Sequence, residues 1–341
     1  MVAQNYVLHN INEALCPQQN IFRLLPLAAV DLLPKVEEFP TSVSVMPVIQ
    51  KPVKGVTMPA TDQPLELHSP LQAGDLLADF IHRHPGLMIL TGAGVSTDSG
   101  IPDYRDGDGA WKRKQPVQHQ DFMTSTMVRQ RYWGRSLIGW PIIRNAKPNI
   151  AHHRVAELEL RRYSRLLVTQ NVDRLHQQAG SRSVTDLHGR ADEVVCMDCG
   201  YRCKRDEVHE RCADLNPTFE HYSAGAAPDG DADLEVDFSE FRIADCPSCD
   251  GILKPDVVFF GDYVPKDRVT SALDTLKACD GLLVIGSSLM VYSGFRFCRY
   301  AKEWGKPMAT LNLGRTRADS LVDLKLNAGI SDTLACALDQ L

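Results

Sequence analysis

Residues 86–100 read GLMILTGAGVSTDSG: an apolar run, a glycine-rich turn, then a polar stretch able to open a helix. Strand, glycine turn and helix in that order begin a Rossmann-type unit. The turn is not the dinucleotide fingerprint GxGxxG, because Val95, Ser96 and Thr97 leave no third glycine in the right place. Gly92-x-Gly94 is therefore a weak nucleotide signal by itself. The physical reason for such glycines still holds: backbone without a Cβ can approach a pyrophosphate closely, and a helix N-terminus favours anions. Ser96 and Ser99 read as N-cap or phosphate-facing hydroxyls.

Beyond this stretch, apolar runs recur at RLLVTQN (165–171), DGLLVIGSS (280–288) and PMATLNLG (307–314). Between and before them lie helical periodicities, LQAGDLLADFIHRH (71–84), AHHRVAELELRR (151–162) and DRVTSALDTLKA (267–278). Strands alternating with helices predict an α/β fold, a Rossmann-like and mostly parallel sheet with helices on both faces. Each run ends in small or polar residues, and ligands of such sheets sit beyond the carboxyl ends of the strands.

Residues 191–251 break this rhythm. They carry two cysteine pairs, Cys196-x-x-Cys199 and Cys246-x-x-Cys249, with 46 residues between the pairs, and an acidic stretch APDGDADLEVDFSE. Two such pairs can set four thiolates around one tetrahedral zinc, a closed structural site with no place for water. A redox CxxC, and Cys203 in place of one ligand, are the alternatives. Four sulfurs leave His188, eight residues before Cys196, free for other chemistry. The expected organisation is an extended arm over 1–70, with seven prolines in 34–70 and a short strand at SVSVMPV; a catalytic domain over 71–190 and 252–341; and an inserted zinc-binding module over 191–251.

The composition is that of a globular chain: 341 residues, 44% hydrophobic and 23% charged. A net charge of −6 argues against a protein that coats nucleic acid. No apolar run reaches the ~18 residues of a membrane helix, so no membrane partner is expected. Ten cysteines without a secretory leader favour reduced thiols and metal over disulfides. A cytoplasmic location is expected. A mitochondrial one is the alternative, disfavoured by acids Glu13, Asp31, Glu37 and Glu38 against the single Arg23 in the first 55 residues. Oligomeric state leaves no trace in the sequence.

Taken together, GAGVSTDSGIPDYR (92–105), TQNVDRLH (169–176), LHG (187–189), KPDVVFFGD (254–262), GSSLMVYSG (286–294) and LNLG (311–314) occur in the order seen in sirtuins. The resemblance covers about 71–341, with the cysteine pairs where that family carries its zinc module, and details such as RQRYWGRSLIGWP resemble the class II branch. It implies an NAD-dependent protein-lysine deacylase that releases nicotinamide and O-acyl-ADP-ribose, with one structural zinc ion. Acylated lysine-containing proteins or peptides would be its partners.

The same resemblance implies His188 as general base, a role that suits a reference pKa of ~6.5, and Asn171 as the residue that positions a water. Gly92, Ala93, Gly94, Ser96, Asp103, Tyr104 and Arg105 would form the cofactor loop, with the Tyr104 ring shielding the reactive centre where many relatives have Phe. Gln170, Asn171, Val172 and Asp173 would meet the nicotinamide riboside. Gly286, Ser287 and Ser288 would hold phosphate or ribose, and Asn312, Leu313, Gly314 and Ile330 the adenosine. Val258, Phe259, Phe260 and Gly261 would line the acyl-lysine path. Where a desuccinylase is expected to place Tyr and Arg, this chain has Ala110 and Lys112 or Arg113, which argues against a malonyl or succinyl specialist. A mono-ADP-ribosyltransferase on the same scaffold and a non-catalytic NAD-binding module are the competing readings.

Overall fold

A computed structural model describes residues 66–112, 116–221, 234 and 236–341. The expected arm up to residue 65, the strand at SVSVMPV, Arg113 and most of the acidic stretch lie outside the described residues. Among those described, the strands in chain order are β1 (Leu87–Thr91), β2 (Ser164–Thr169), β3 (Val184–Asp186), β4 (Gly189–Cys196), β5 (Arg202–Lys204), β6 (Leu253–Val257), β7 (Gly281–Ile285), β8 (Met308–Leu311) and β9 (Leu324–Leu326). The α-helices are α1 (Pro70–Arg83), α2 (His119–Thr124), α3 (Thr126–Asn145), α4 (Ile150–Leu160), α5 (Leu175–Gln178), α6 (Arg205–Leu215), α7 (Lys266–Ala278), α8 (Tyr292–Glu303) and α9 (Ile330–Leu338).

Six strands form one wholly parallel sheet in the order β3-β2-β1-β7-β8-β9. Period-two alternation puts helices on both faces. In β1, Leu87 and Ile89 pack with residues of α1, α4 and α9 on one face. Met88 and Leu90 face α7 and α8 on the other. Every residue of β1 and β7 is buried, as a central parallel strand requires. Local signals agree with the packing: Ser69 and Gln72 form a capping box behind Pro70 at the start of α1, and Asn149 caps α4.

The second sheet is antiparallel, β5-β4-β6, and a third apolar cluster underlies it. That cluster includes Phe122, Tyr132, Trp133, Trp140 and Ile143 from α2 and α3 together with Val194, Val208, Phe241 and Leu253. Residues 119–146, counted by sequence with the parallel-sheet domain, thus share a core with the cysteine segment. The buried Arg205 helps tie them, donating to Ser136 Oγ at 2.5 Å with its guanidinium 4.9 Å from the Trp133 ring. The antiparallel sheet also takes β4 from Gly189 and β6 from 253–257, so its strands reach past both ends of the expected 191–251 insert. Short strands with mixed composition carry little periodicity, which is why the sequence showed the cysteines but not this sheet.

Candidate active site

The order of the parallel sheet reverses between β1 and β7, because chain order runs outward from β1 to β2 and β3 on one side and from β7 to β8 and β9 on the other. A crevice at such a switch point, beyond the carboxyl ends of the strands, is where open α/β sheets bind ligands. Here two loops meet. Gly286 comes directly after β7 at φ +63, and a Cβ there would lie 2.6 Å from Val95 N; a Cβ on Gly92 would lie 2.8 Å from Ser287 Cβ, and one on Gly94 3.0 Å from Gly286 Cα. Glycine at these positions lets the two loops touch through backbone, which no side chain would permit.

Strand β1 leads into a 3-10 helix, Ala93–Ser99, whose N-cap is Gly92. This changes the expectation for Ser96. Its side chain is buried, caps nothing, and donates to Asp173 Oδ2 at 2.7 Å while accepting from Asn171 Nδ2 at 3.0 Å. Asp173 is buried too, and Leu175 N donates to its Oδ1 at 2.9 Å. Burial pushes its carboxyl pKa up, against the hydrogen bonds from Leu175 and Ser96 that favour the anion. Val172, next to it, is buried in the third apolar cluster. Ser99 Oγ is buried without a partner among the described residues.

Two histidines to which sequence reasoning gave no role lie under this group. His152 Nε2 is 3.4 Å from Ser96 Oγ, and His176 Nε2 is 2.9 Å from Thr91 Oγ1, with the two rings 4.8 Å apart. Burial lowers both pKa values, that of His152 to about 4. His176 sits inside the motif TQNVDRLH and was the readable signal; His152 is one of two adjacent histidines, and only packing distinguishes them.

His188 stands at the crossing from β3, an edge of the parallel sheet, into β4, the centre of the antiparallel one. Its carbonyl accepts from Val258 N at 2.8 Å, and its Nδ1 lies 3.0 Å from the Gln170 carbonyl. Gly189 after it has φ +83, and a Cβ there would lie 2.0 Å from Asp256 O, so the His-Gly pair is set by close strand contact. Burial pushes the imidazole pKa down to about 4; the Gln170 hydrogen bond opposes this, and Arg296 and Arg268 add to it.

The remaining expected residues divide. Gln170 and Ser287 side chains meet at 3.2 Å, linking the segments that follow β2 and β7 past the end of β1. The Ser288 carbonyl accepts from Arg317 N. Asn312 is buried with its amide on Leu313 O, Leu313 is exposed, and Gly314 at φ +87 touches Gly107. Ile330 opens α9 and packs partly buried against the first face of the sheet. Asp103 pairs with Lys112, and Arg105 donates to Gly109 O with its guanidinium 3.8 Å from the Trp111 ring centre.

Tyr104, Trp111 and Phe260 form an edge-to-face trio with centroids 5.5–6.1 Å apart. Phe259 parts from the expected acyl-lysine wall: it is buried against Phe122 and Tyr132 in the core, while its neighbour Phe260, also beyond β6, is turned the other way. Phe260 faces the trio instead. Gly261, exposed at φ +81, turns the chain onward. Lys254, unassigned by sequence, is buried beneath this turn and donates to Val257 O.

The four cysteine sulfurs of 196, 199, 246 and 249 lie within 4.8 Å of one another, with Cys196–Cys249 at 3.6 Å and Cys199–Cys246 at 3.7 Å. A tetrahedron of Zn–S bonds of ~2.3 Å has edges of about 3.8 Å, so the set fits zinc. Positive φ at Gly200 and Asp250 turns each knuckle. Neither His188 nor Cys203 belongs to the group, and Cys212 is buried in the core.

The sequence profile of the Sir2 family matches residues 92–293. An NAD-dependent protein deacetylase of Xanthomonas campestris pv. campestris (strain 8004) is 55% identical over 265 residues, covering 77% of this chain and 90% of that protein. NAD-dependent protein deacetylase 2 of Bradyrhizobium diazoefficiens is 54% identical over 267 residues, 78% of this chain and 98% of its own. Among solved structures, Sir2 in complex with the inhibitor EX-527, 2'-O-acetyl-ADP-ribose and deacetylated p53 peptide superposes with a TM-score of 0.62 at 27% identity, over 78% of this chain and 98% of that one. The switch-point loops, the histidine between two sheets and the four-cysteine cluster are thus found in a chain that belongs to the Sir2 family.

Proposed function

We infer that the protein is an NAD-dependent protein-lysine deacylase with one structural zinc ion. The observation that carries this reading is His188, held at Nδ1 by the Gln170 carbonyl and at Nε2 by the Ser293 hydroxyl, beside the switch-point crevice. The crevice fits NAD by its chemistry: backbone-only loop contacts, the hydroxyls of Ser287 and Ser288, and the unpartnered buried hydroxyl of Ser99. When bound, NAD supplies a ribose carbon from which nicotinamide departs, and the ADP-ribose that carries the acyl group away.

The chain's own residues do the rest. A carbonyl can only accept, so the neutral His188 carries its proton on Nδ1 and keeps a basic lone pair on Nε2. With its pKa pushed down to about 4 by burial, the ring is neutral near pH 7, the protonation state in which a base can take a proton from a ribose hydroxyl. Asn171 and Asp173, joined through Ser96, would hold the nicotinamide end. Gly92, Ala93 and Gly94, with Gly286, would cradle phosphate; Asn312, Leu313, Gly314 and Ile330 would flank adenosine. Tyr104 and Phe260 exclude water from the reacting centre, and Val258 with Gly261 offers backbone to an extended acyl-lysine peptide. The zinc holds the knuckles together and has no open position for chemistry.

The test is a panel of acetyl to long-chain acyl peptides incubated with NAD and read by mass spectrometry. The wild type should release nicotinamide and unmodified lysine, and His188→Ala should lose about 10²- to 10⁴-fold in turnover, as expected for a general base. Failure of the wild type to consume NAD with every peptide would sink the reading. Labelled ADP-ribose transferred to protein while acyl-lysine persists would replace it with ADP-ribosyl transfer.

A further inference from the structure

Ser293, in the first turn of α8, lies 105 residues from His188 in sequence, yet its Oγ is 2.7 Å from His188 Nε2. The residue is 8% exposed. Since Nδ1 carries the ring proton, Nε2 of the neutral ring is an acceptor only, and the serine hydroxyl must donate to it. The first turn of α8 is pressed onto the same corner that holds Nδ1: a Cβ on Gly294 would lie 2.4 Å from Gln170 Nε2. Gln170 from the end of β2 and Ser293 from α8 therefore anchor the imidazole at both nitrogens. The charged groups that face it from the flanking helices are Arg268 of α7 and Arg296 of α8, both cations.

We propose that Ser293 is a positioning residue for His188, donating to Nε2 in the resting protein and accepting from it once that nitrogen has taken the substrate's proton. This rests on the deacylase reading. In the step it would serve, the ribose O–H bond breaks, its proton forms an N–H bond at Nε2, the oxygen pair bonds to the acyl carbon, and that carbon's π pair moves onto the heteroatom it is joined to. Ser293 neither gains nor loses a proton. Its hydroxyl rotates from donor to acceptor, which a side chain with one O–H and two lone pairs can do. Before the ribose arrives, the same hydroxyl keeps the ring aimed at the crevice, and it turns away from the Nε2 lone pair as the ribose hydroxyl takes its place.

Ser293→Ala and Ser293→Thr separate this from a packing role. Single-turnover acyl transfer should fall roughly 3- to 10-fold in the alanine variant, the worth of one neutral hydrogen bond. Exchange of labelled nicotinamide into NAD, which precedes the base's step, should lose distinctly less than acyl transfer. Threonine, which keeps the hydroxyl, should recover part of the rate. Unchanged acyl transfer in Ser293→Ala overturns the proposal, as does an equal loss of exchange and transfer accompanied by a lower melting temperature. A wild type without NAD-dependent deacylation strikes the functional reading instead, so the two failures are distinguishable.

Discussion

Asp173 illustrates what a single residue does in this crevice. It is a buried carboxylate whose oxygens are shared between the Ser96 hydroxyl and the Leu175 N–H, and burial raises its pKa. Burial disfavours the charged form there, and a carboxyl group so placed in a crevice points to a role other than folding. Asp173→Asn keeps the shape and one acceptor oxygen while removing the charge. We expect unfolding stability to change by no more than about 1 kcal/mol, since desolvation no longer opposes the group. Turnover with NAD should fall about 10- to 100-fold, the range for hydrogen bonds to a charged partner. Thermal melts alongside steady-state kinetics check this; a melting temperature that drops in step with activity would make Asp173 a structural acid. The residue types of the crevice were readable from the motif TQNVDRLH, and its chemistry with them. The direction of Ser96 was not, because a serine after a glycine turn can cap a helix or turn inward, and only the 3-10 conformation of Ala93–Ser99 selects the second.

Among the elements, the cysteine knuckles and the glycine loops are the features that sequence spacing made most legible. Two CxxC pairs name a tetrahedral site even across 46 residues, because each knuckle is a local turn and the metal supplies the long-range link. The site joins β4 to the turn before β6, so losing a ligand should loosen the antiparallel sheet rather than the parallel one. Cys196→Ser or Cys249→Ser should bind less than one zinc per chain, lower soluble yield and expose the third apolar cluster to a hydrophobic dye. Elemental analysis with dye fluorescence reads both. A zinc-free variant of full activity and unchanged melting would remove the structural role. Spacing could not show that α2 and α3 share the core of this sheet. Their partners, Phe241 and Leu253, lie about a hundred residues downstream, and nothing in local periodicity marks a shared interior.

Across the whole molecule, His152, His176 and His188 are all neutral groups held in poorly solvated surroundings. Their folded pKa values lie below the ordinary 6.5, so between about pH 6.5 and 4 the unfolded chain binds more protons than the folded one. Stability therefore rises with pH through that window and is lost as pH falls through it. From 6.5 to about 4, His152 and His188 can each contribute up to about 3 kcal/mol, against a typical total of ~5–15 kcal/mol. Asp173, with a raised pKa, works in the opposite sense just above 3.8. Urea unfolding midpoints should fall steadily from pH 7 to pH 4.5, and His152→Gln should flatten the slope. A midpoint independent of pH over that range would mean these rings protonate in the folded state.

Short-range patterns in the chain were enough to specify the alternation that builds a parallel sheet, the switch-point loops with their glycines, and the four thiolates. Each is local: period two within β1, a Cβ-free turn, a two-residue cysteine spacing. Which side chain meets which across the folds of the chain was settled only by the packed molecule. Leu87 and Met88 were both bound to be buried, but that Phe259 enters the core while Phe260 joins Tyr104 and Trp111 depends on how β6 twists into its turn. That His188 is gripped by Gln170 and Ser293 depends on α8 closing against the end of β2. Such pairings arise from packing between elements far apart in the chain, and their geometry is fixed only when the layers close on one another.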